Sequence, residues 1–306
     1  MPVRTLVVGA GATGGYFGGL LTAAGRDTTF LVRPQRAAQL AERGLRVGTP
    51  EGSTLVAPRL VTAGELDGPY DIVLLAVKSY HLAQALTDVA PAVGAETIVI
   101  PTLNGMRHLD TLLTTFGPER AWGGVCLIHA DLNPDGDVLR MTGLQRLGFG
   151  PVVCDPHDPR PAAVADALSG AGFDAFAAPT IVQDMWEKWV FLASLGAATT
   201  LMRAPVGEIN RAPGGTEFGA RIAAEAMAIA AAAGHQPRPG AVKVLRDGLA
   251  TTEPMTSSMY RDMTRGLPVE VDAILGDFVA EAAKHHVPAP TISAAYTNLA
   301  IYAARS

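Results

Sequence analysis

Hydrophobic positions follow two regimes along this chain. Before about residue 180, short continuous apolar runs recur at 5–8, 28–32, 71–77 and 97–101, with helical spacing between them. Runs of this length suit strands of a parallel sheet covered on both faces. A hairpin-like pair stands at 46–48 and 54–56. Further strand segments are expected near 121–130, 137–141 and 145–150, with Asn133-Pro134-Asp135-Gly136 as a turn signal, and an edge strand at 173–178. This alternation predicts an α/β, doubly wound parallel sheet over residues 1–179. Beyond it the period becomes helical, at 181–202, 215–234, 238–250, 269–286 and 290–304. Pro205, Pro213, Pro237, Pro254, Pro268 and Pro288 fall near the expected ends. Residues 180–306 therefore read as an all-α domain, expected to carry substrate and catalytic groups.

The first strand runs into Gly9-Ala10-Gly11-Ala12-Thr13-Gly14, and a helix is expected over about 12–24. Glycines at these three positions allow a tight turn, a close approach of backbone to a pyrophosphate, and close packing of helix on strand. The helix N-terminus then aims N–H groups and a positive dipole end at the anion. The second strand ends at Arg33. An acid there would bond the ribose 2′-hydroxyl of NAD, whereas an arginine suits the 2′-phosphate of NADP. A glycine-rich turn alone would be weak evidence. Placed between two strands at the head of a Rossmann-like domain, it points to NADP as cofactor.

Composition narrows the function classes. The chain has 306 residues, 48% hydrophobic and 17% charged, as in a compact soluble protein of two ordinary domains. A net charge of −5 with no basic block argues against a nucleic-acid partner. Cys126 and Cys154 are too few for a disulfide framework and fit the reducing cytoplasm. Cys126-x-x-His129 lacks a second ligand pair at zinc spacing, so it reads as a buried thiol and a loop histidine. His285-His286 reads as a helix end, and no metal is expected. No charged segment followed by a long apolar run precedes the first strand, as a secretory leader would require. The Ala-rich stretch 220–234 is interrupted by Arg221 and Glu225 and is too short to span a bilayer, so it reads as a core helix. No membrane association is expected, and a homodimer fits the general prevalence of two-fold pairs.

Four places carry candidate chemistry. Lys78 is expected at the carboxyl end of the 71–77 strand, where ligands of open α/β sheets gather; it could equally be a solvated strand-end lysine. Asn104, before Gly105, follows the next strand at the same edge, as a donor to substrate or cofactor ribose or as a simple turn. Lys188 borders an apolar helical run, and partial desolvation favours its neutral form and suits it to proton transfer, unless it snorkels to water. Ser258 and Asp262 share a face if 257–262 is helical. Glu270 is expected in the first turn of the 269–286 helix, where an acid can serve merely to offset the dipole.

Taken together and in this order, Gly9-x-Gly11-x-x-Gly14, Arg33, Val77-Lys78, Asn104-Gly105-Met106, Trp186-x-Lys188, Ser257-Ser258-Met259-x-x-Asp262 and Glu270 resemble the ketopantoate reductase (2-dehydropantoate 2-reductase) family over essentially the whole chain. The resemblance implies a Rossmann domain, a helical C-terminal domain, NADPH as reductant and a small 2-oxo acid as substrate, with pantoate, a precursor of pantothenate, as product. It implies Lys188 as general acid and Glu270 as a residue that bonds substrate or orients the lysine. Ser258 would bind the substrate carboxylate, Asn104 substrate or cofactor, and Lys78 would lie near the nicotinamide and ribose. The family pattern also has asparagines four and eight residues after the lysine and three before the serine. Here these are Leu192, Gly196 and Met255. A site that lacks hydroxyl-bonding groups implies a substrate tail less polar than that of ketopantoate, unless Thr199 or Asn210 takes over. Two other readings remain: an imine or 3-hydroxy acid reductase, and a non-catalytic NADPH-binding redox sensor. The sensor would need neither Lys188 nor Glu270.

Overall fold

The structure, a computed structural model, describes residues 2–305. Its contacts divide the chain into two compact units. One comprises the residues up to Leu103 together with His108–Val182, and the other Asn104–Arg107 together with the residues from Gln183 onward.

In the first unit the strands are β1 (Thr5–Val8), β2 (Thr28–Leu31), β3 (Leu45–Thr49), β4 (Gly52–Val56), β5 (Arg59–Val61), β6 (Ile72–Leu75), β7 (Ile98–Pro101), β8 (Trp122–Leu132), β9 (Val138–Pro151) and β10 (Asp174–Ala177). The helices are α1 (Ala12–Ala23), α2 (Pro34–Arg43), α3 (Leu82–Val89), α4 (Arg107–Phe116) and α5 (Arg160–Leu168). One sheet runs β5-β2-β1-β6-β7, all parallel. Its strands are buried on both faces because side chains alternate. Val7, Ile72, Leu74, Ile98 and Ile100 pack with Tyr16, Phe17 and Leu21 of α1. Leu6, Val8, Val73, Leu75 and Val99 pack on the other face with Leu86, Val89, Leu112 and Phe116. Full burial of each such side chain contributes about 1.5–3 kcal/mol.

The second sheet is mixed, in the order β10-β9-β3-β4 with β8 on β9. The hairpin-like pair expected at 46–48 and 54–56 is the antiparallel β3–β4. The segments expected between 121 and 150 merge into the long antiparallel pair β8–β9, closed by the Asn133–Gly136 turn. The outer part of β9 is largely exposed, and Thr142-Gly143 interrupts its apolar pattern, which is why it read as a break. His129 lies in β8 at a register shift, not in a loop.

The second unit is helical. It contains most of α6 (Ile181–Met202), then α7 (Val206–Arg211), α8 (Gly215–Ala232), α9 (Pro239–Ala250), α10 (Ser258–Thr264), a π-turn (Asp272–Gly276), α11 (Asp277–Lys284) and α12 (Pro290–Ala303). The Ala-rich α8 buries Ile222, Ala226, Ile229 and Ala230. Glu225 is no flaw in that helix: its carboxylate accepts the backbone N–H groups of Thr291 and Ile292, at 3.1 and 2.9 Å, and so caps α12. The single helix expected over 269–286 starts at residue 271 and widens into the π-turn before α11. Among the described residues no helix is long and apolar enough to cross a membrane.

Candidate active site

The glycine loop has the geometry its sequence implied. Gly9 has φ +96°, and a Cβ there would stand 2.9 Å from the Ala76 carbonyl. A Cβ on Gly14 would overlap the Gly9 carbonyl, so only glycine lets α1 start this close to β1. Gly11 is different: nothing lies within 4 Å of the place its Cβ would take. That open space borders the α1 N-terminus, whose first residues are Ala12 and Thr13 and whose first turn holds no acid. Together with Ala10, these residues form a cradle that fits a pyrophosphate.

Arg33 is exposed and caps the N-terminus of α2, just past β2. His81 lies within its field. Burial, and then the Arg33 charge, hold the His81 imidazole below its ordinary pKa. A residue the sequence gave no reason to single out is Arg36. Its Nε donates to the Ala10 carbonyl at 3.2 Å and its Nη2 to the Gly136 carbonyl at 2.9 Å, pinning the loop from behind. Lys78 is half-buried, but β6 stops at Leu75, earlier than expected. The last ladder bond runs from Ala76 N–H to Val8, because β1 ends there and Gly9 turns away. Lys78 instead precedes a 3₁₀ turn at Ser79–His81.

In the helical unit, Lys188 is half-buried in the body of α6. Its neighbour Glu187 accepts from Arg238, and Asp184 joins the same guanidinium. Further along the Lys188 face come Leu192, half-buried, and Gly196. A Cβ on Gly196 would overlap the terminal methyl of Met259. Thr199, next on this face, is fully buried; its hydroxyl bonds the Leu195 carbonyl at 2.7 Å and the Ser257 hydroxyl at 2.8 Å. Ser257 in turn caps α10 by accepting the Tyr260 N–H at 3.0 Å. Asn210 spends its amide N–H groups on the Leu249 and Thr251 carbonyls. Thr199 is thus tied to partners inside the helical unit, whereas the buried Asn210 Oδ1 accepts no hydrogen bond among the described residues.

Ser258 opens α10 and Asp262 lies one turn later, both half-buried. Glu270 is 4% exposed. It stands just before the helix, not inside its first turn, because its carbonyl already accepts the first helical N–H, from Ile274. Asn104 is half-buried beyond β7, in the short segment that groups with the helical unit. The sequence named Ser257 and Met259 only as motif positions and gave Trp189 no role; Ser257, a serine before a helix, carried a capping signal that could have marked it as a cap. Among the described residues no group of His, Cys, Asp and Glu is placed to hold a metal ion.

Comparison with known families settles what the chain is related to. Residues 5–153 match the model of ketopantoate reductase PanE/ApbA, and residues 180–303 match that of its C-terminal part. The chain belongs to the ketopantoate reductase family. With that family it is an oxidoreductase acting on a CH–OH group. It is 34% identical over 99% of both chains to an oxidoreductase of Bacillus subtilis named uncharacterized YkpB. It is 28% identical to a 2-dehydropantoate 2-reductase of Halobacterium salinarum, over 95% of each chain. The crystal structure of a 2-dehydropantoate 2-reductase from Geobacter metallireducens matches with a TM-score of 0.87 at 28% identity, covering 98% of this chain and 99% of that one. The expected α/β fold with a helical C-terminal part is that of the ketopantoate reductases.

Proposed function

We propose that this chain reduces a 2-oxo acid to a 2-hydroxy acid with NADPH. Supporting the cofactor are the open space at Gly11, the acid-free start of α1 and Arg33 where an NAD-binding acid would stand. Bound NADPH supplies the hydride, which adds to the carbonyl carbon. Lys188 stabilises the charge that develops on the carbonyl oxygen and delivers the proton from Nζ. Glu270 orients that ammonium or bonds the substrate. Ser258, with Asp262 on the same face of α10, holds the substrate carboxylate, Asn104 bonds substrate or ribose, and Lys78 lies by the ribose. The observation that carries this reading is the half-buried Lys188, linked through Trp189 and Ile274 to the segment bearing the buried Glu270.

Within this class the names of relatives point to 2-dehydropantoate, with pantoate for pantothenate synthesis as the product. One observation favours a second substrate: Leu192, Gly196 and the Met259 methyl leave the face beyond Lys188 apolar, which suits a tail without a hydroxyl. A cytoplasmic homodimer completes the proposal; Cys126 and Cys154 are both free thiols. The test follows NADPH oxidation with 2-dehydropantoate beside 2-oxo acids of aliphatic and aromatic tail. Saturable turnover of at least one is expected; none with any would overturn the reading.

A further inference from the structure

A π-turn at Asp272–Gly276 interrupts the helix that follows Glu270. Such turns add a residue to the ladder, and they gather at functional sites. Three candidate groups bear on two consecutive residues of this one. The Ile274 N–H donates to the Glu270 carbonyl at 3.2 Å. The Trp189 indole N–H, next in sequence to Lys188, donates to the Ile274 carbonyl at 3.0 Å in a fully buried bond. Gly105, next to Asn104, has φ +83°, and a Cβ there would overlap the Ala273 carbonyl.

We infer that Trp189 is a positioning residue for the reduction: its indole N–H, anchored on the π-turn, sets the rotation of α6 that aims Lys188 with respect to Glu270. The inference rests on the reading of Lys188 as proton donor. Trp189 also meets Phe278 edge-on at 4.7 Å and Trp186 at 5.0 Å, contacts that a ring without an N–H can keep. A hydrogen bond is directional, and its carbonyl partner is held by the same turn that takes the Glu270 bond. Displacing a reacting group by about 1 Å can cost about a hundredfold in rate. Phenylalanine at 189 would keep the ring contacts and lose only the N–H.

Trp189→Phe is tested by two readouts. The first is kcat and NADPH Kd with the best substrate. The second needs no turnover: lysines dimethylated with ¹³C-formaldehyde are followed by NMR, with Lys188→Arg assigning one signal among Lys78, Lys188, Lys243 and Lys284. The expected result is a kcat lower by about ten- to a hundredfold at unchanged NADPH Kd. The Lys188 signal should shift while the other three hold. A kcat within twofold of wild type overturns the inference, whatever the melting temperature does. If the wild-type protein turns over no 2-oxo acid, the proposed function fails, and the Lys188 signal alone decides: moved supports positioning, unmoved refutes it. Should Trp189→Phe not fold, Gly105→Ala presses on the same turn through Ala273, with the same two readouts and the same outcomes.

Discussion

Met259 closes over Gly196, its terminal methyl standing where a side chain on residue 196 would begin. The two belong to α10 and α6, which the buried Ser257–Thr199 hydrogen bond ties together at 2.8 Å. A polar side chain on this face, one turn beyond Leu192, would have to push that methyl, the far end of a flexible side chain, aside. Gly196→Asn alone should destabilise the protein by about 1–3 kcal/mol through overpacking. Gly196→Asn with Met259→Ala should recover part of that loss and raise kcat/KM for hydroxyl-bearing 2-oxo acids relative to apolar ones. Thermal melts and a substrate panel check both; a single variant as stable as wild type would contradict the packing argument.

The proposed preference for NADPH over NADH rests on Arg33 and is tested there. Arg33→Asp should weaken NADPH binding by about ten- to a hundredfold, as the loss of a charge-assisted hydrogen bond implies. NADH should bind as well as before or better, because the new carboxylate suits a 2′-hydroxyl. Titration of cofactor fluorescence measures both. Equal weakening of the two would mean that Arg33 only supports the fold at the start of α2.

Acid stability should depend on Glu187. Burial raises its pKa, but the hydrogen bonds from Arg238 and Gln183 prevail and hold it below the ordinary glutamate value. A carboxylate with a depressed folded value stabilises fully above the unfolded value, about 4.3, and the stabilisation fades as pH falls through the folded value. Arg238→Ala should therefore melt lower than wild type at pH 7. The gap between the two should narrow below about pH 4. A gap that is constant with pH would assign the loss to packing instead.

The sheet was legible because its strands are buried on both faces, so Val7, Val73 and their neighbours read as unbroken apolar runs. The glycine loop was legible because backbone sterics leave few residue types at Gly9 and Gly14. Elements shorter than two helical turns, α7 and α10, carry too few residues to show a period. The early end of β6 depends on where β1 stops, a pairing fact absent from the local sequence. Trp189 was hidden for the same reason, since its partner Ile274 lies 85 residues away. Glu270 falls just before the helix and not in its first turn because the helix starts at residue 271, a boundary that hydrophobic spacing does not fix to the residue.

The central claim is that Lys188 supplies the proton during reduction. Lys188→Ala, assayed for NADPH oxidation with the preferred 2-oxo acid, should lose about 10²–10⁴-fold in kcat. Its NADPH Kd, measured on the same sample, should match that of wild type. Turnover within a few-fold of wild type, at equal NADPH affinity, would contradict the account and leave Lys188 a structural lysine of α6.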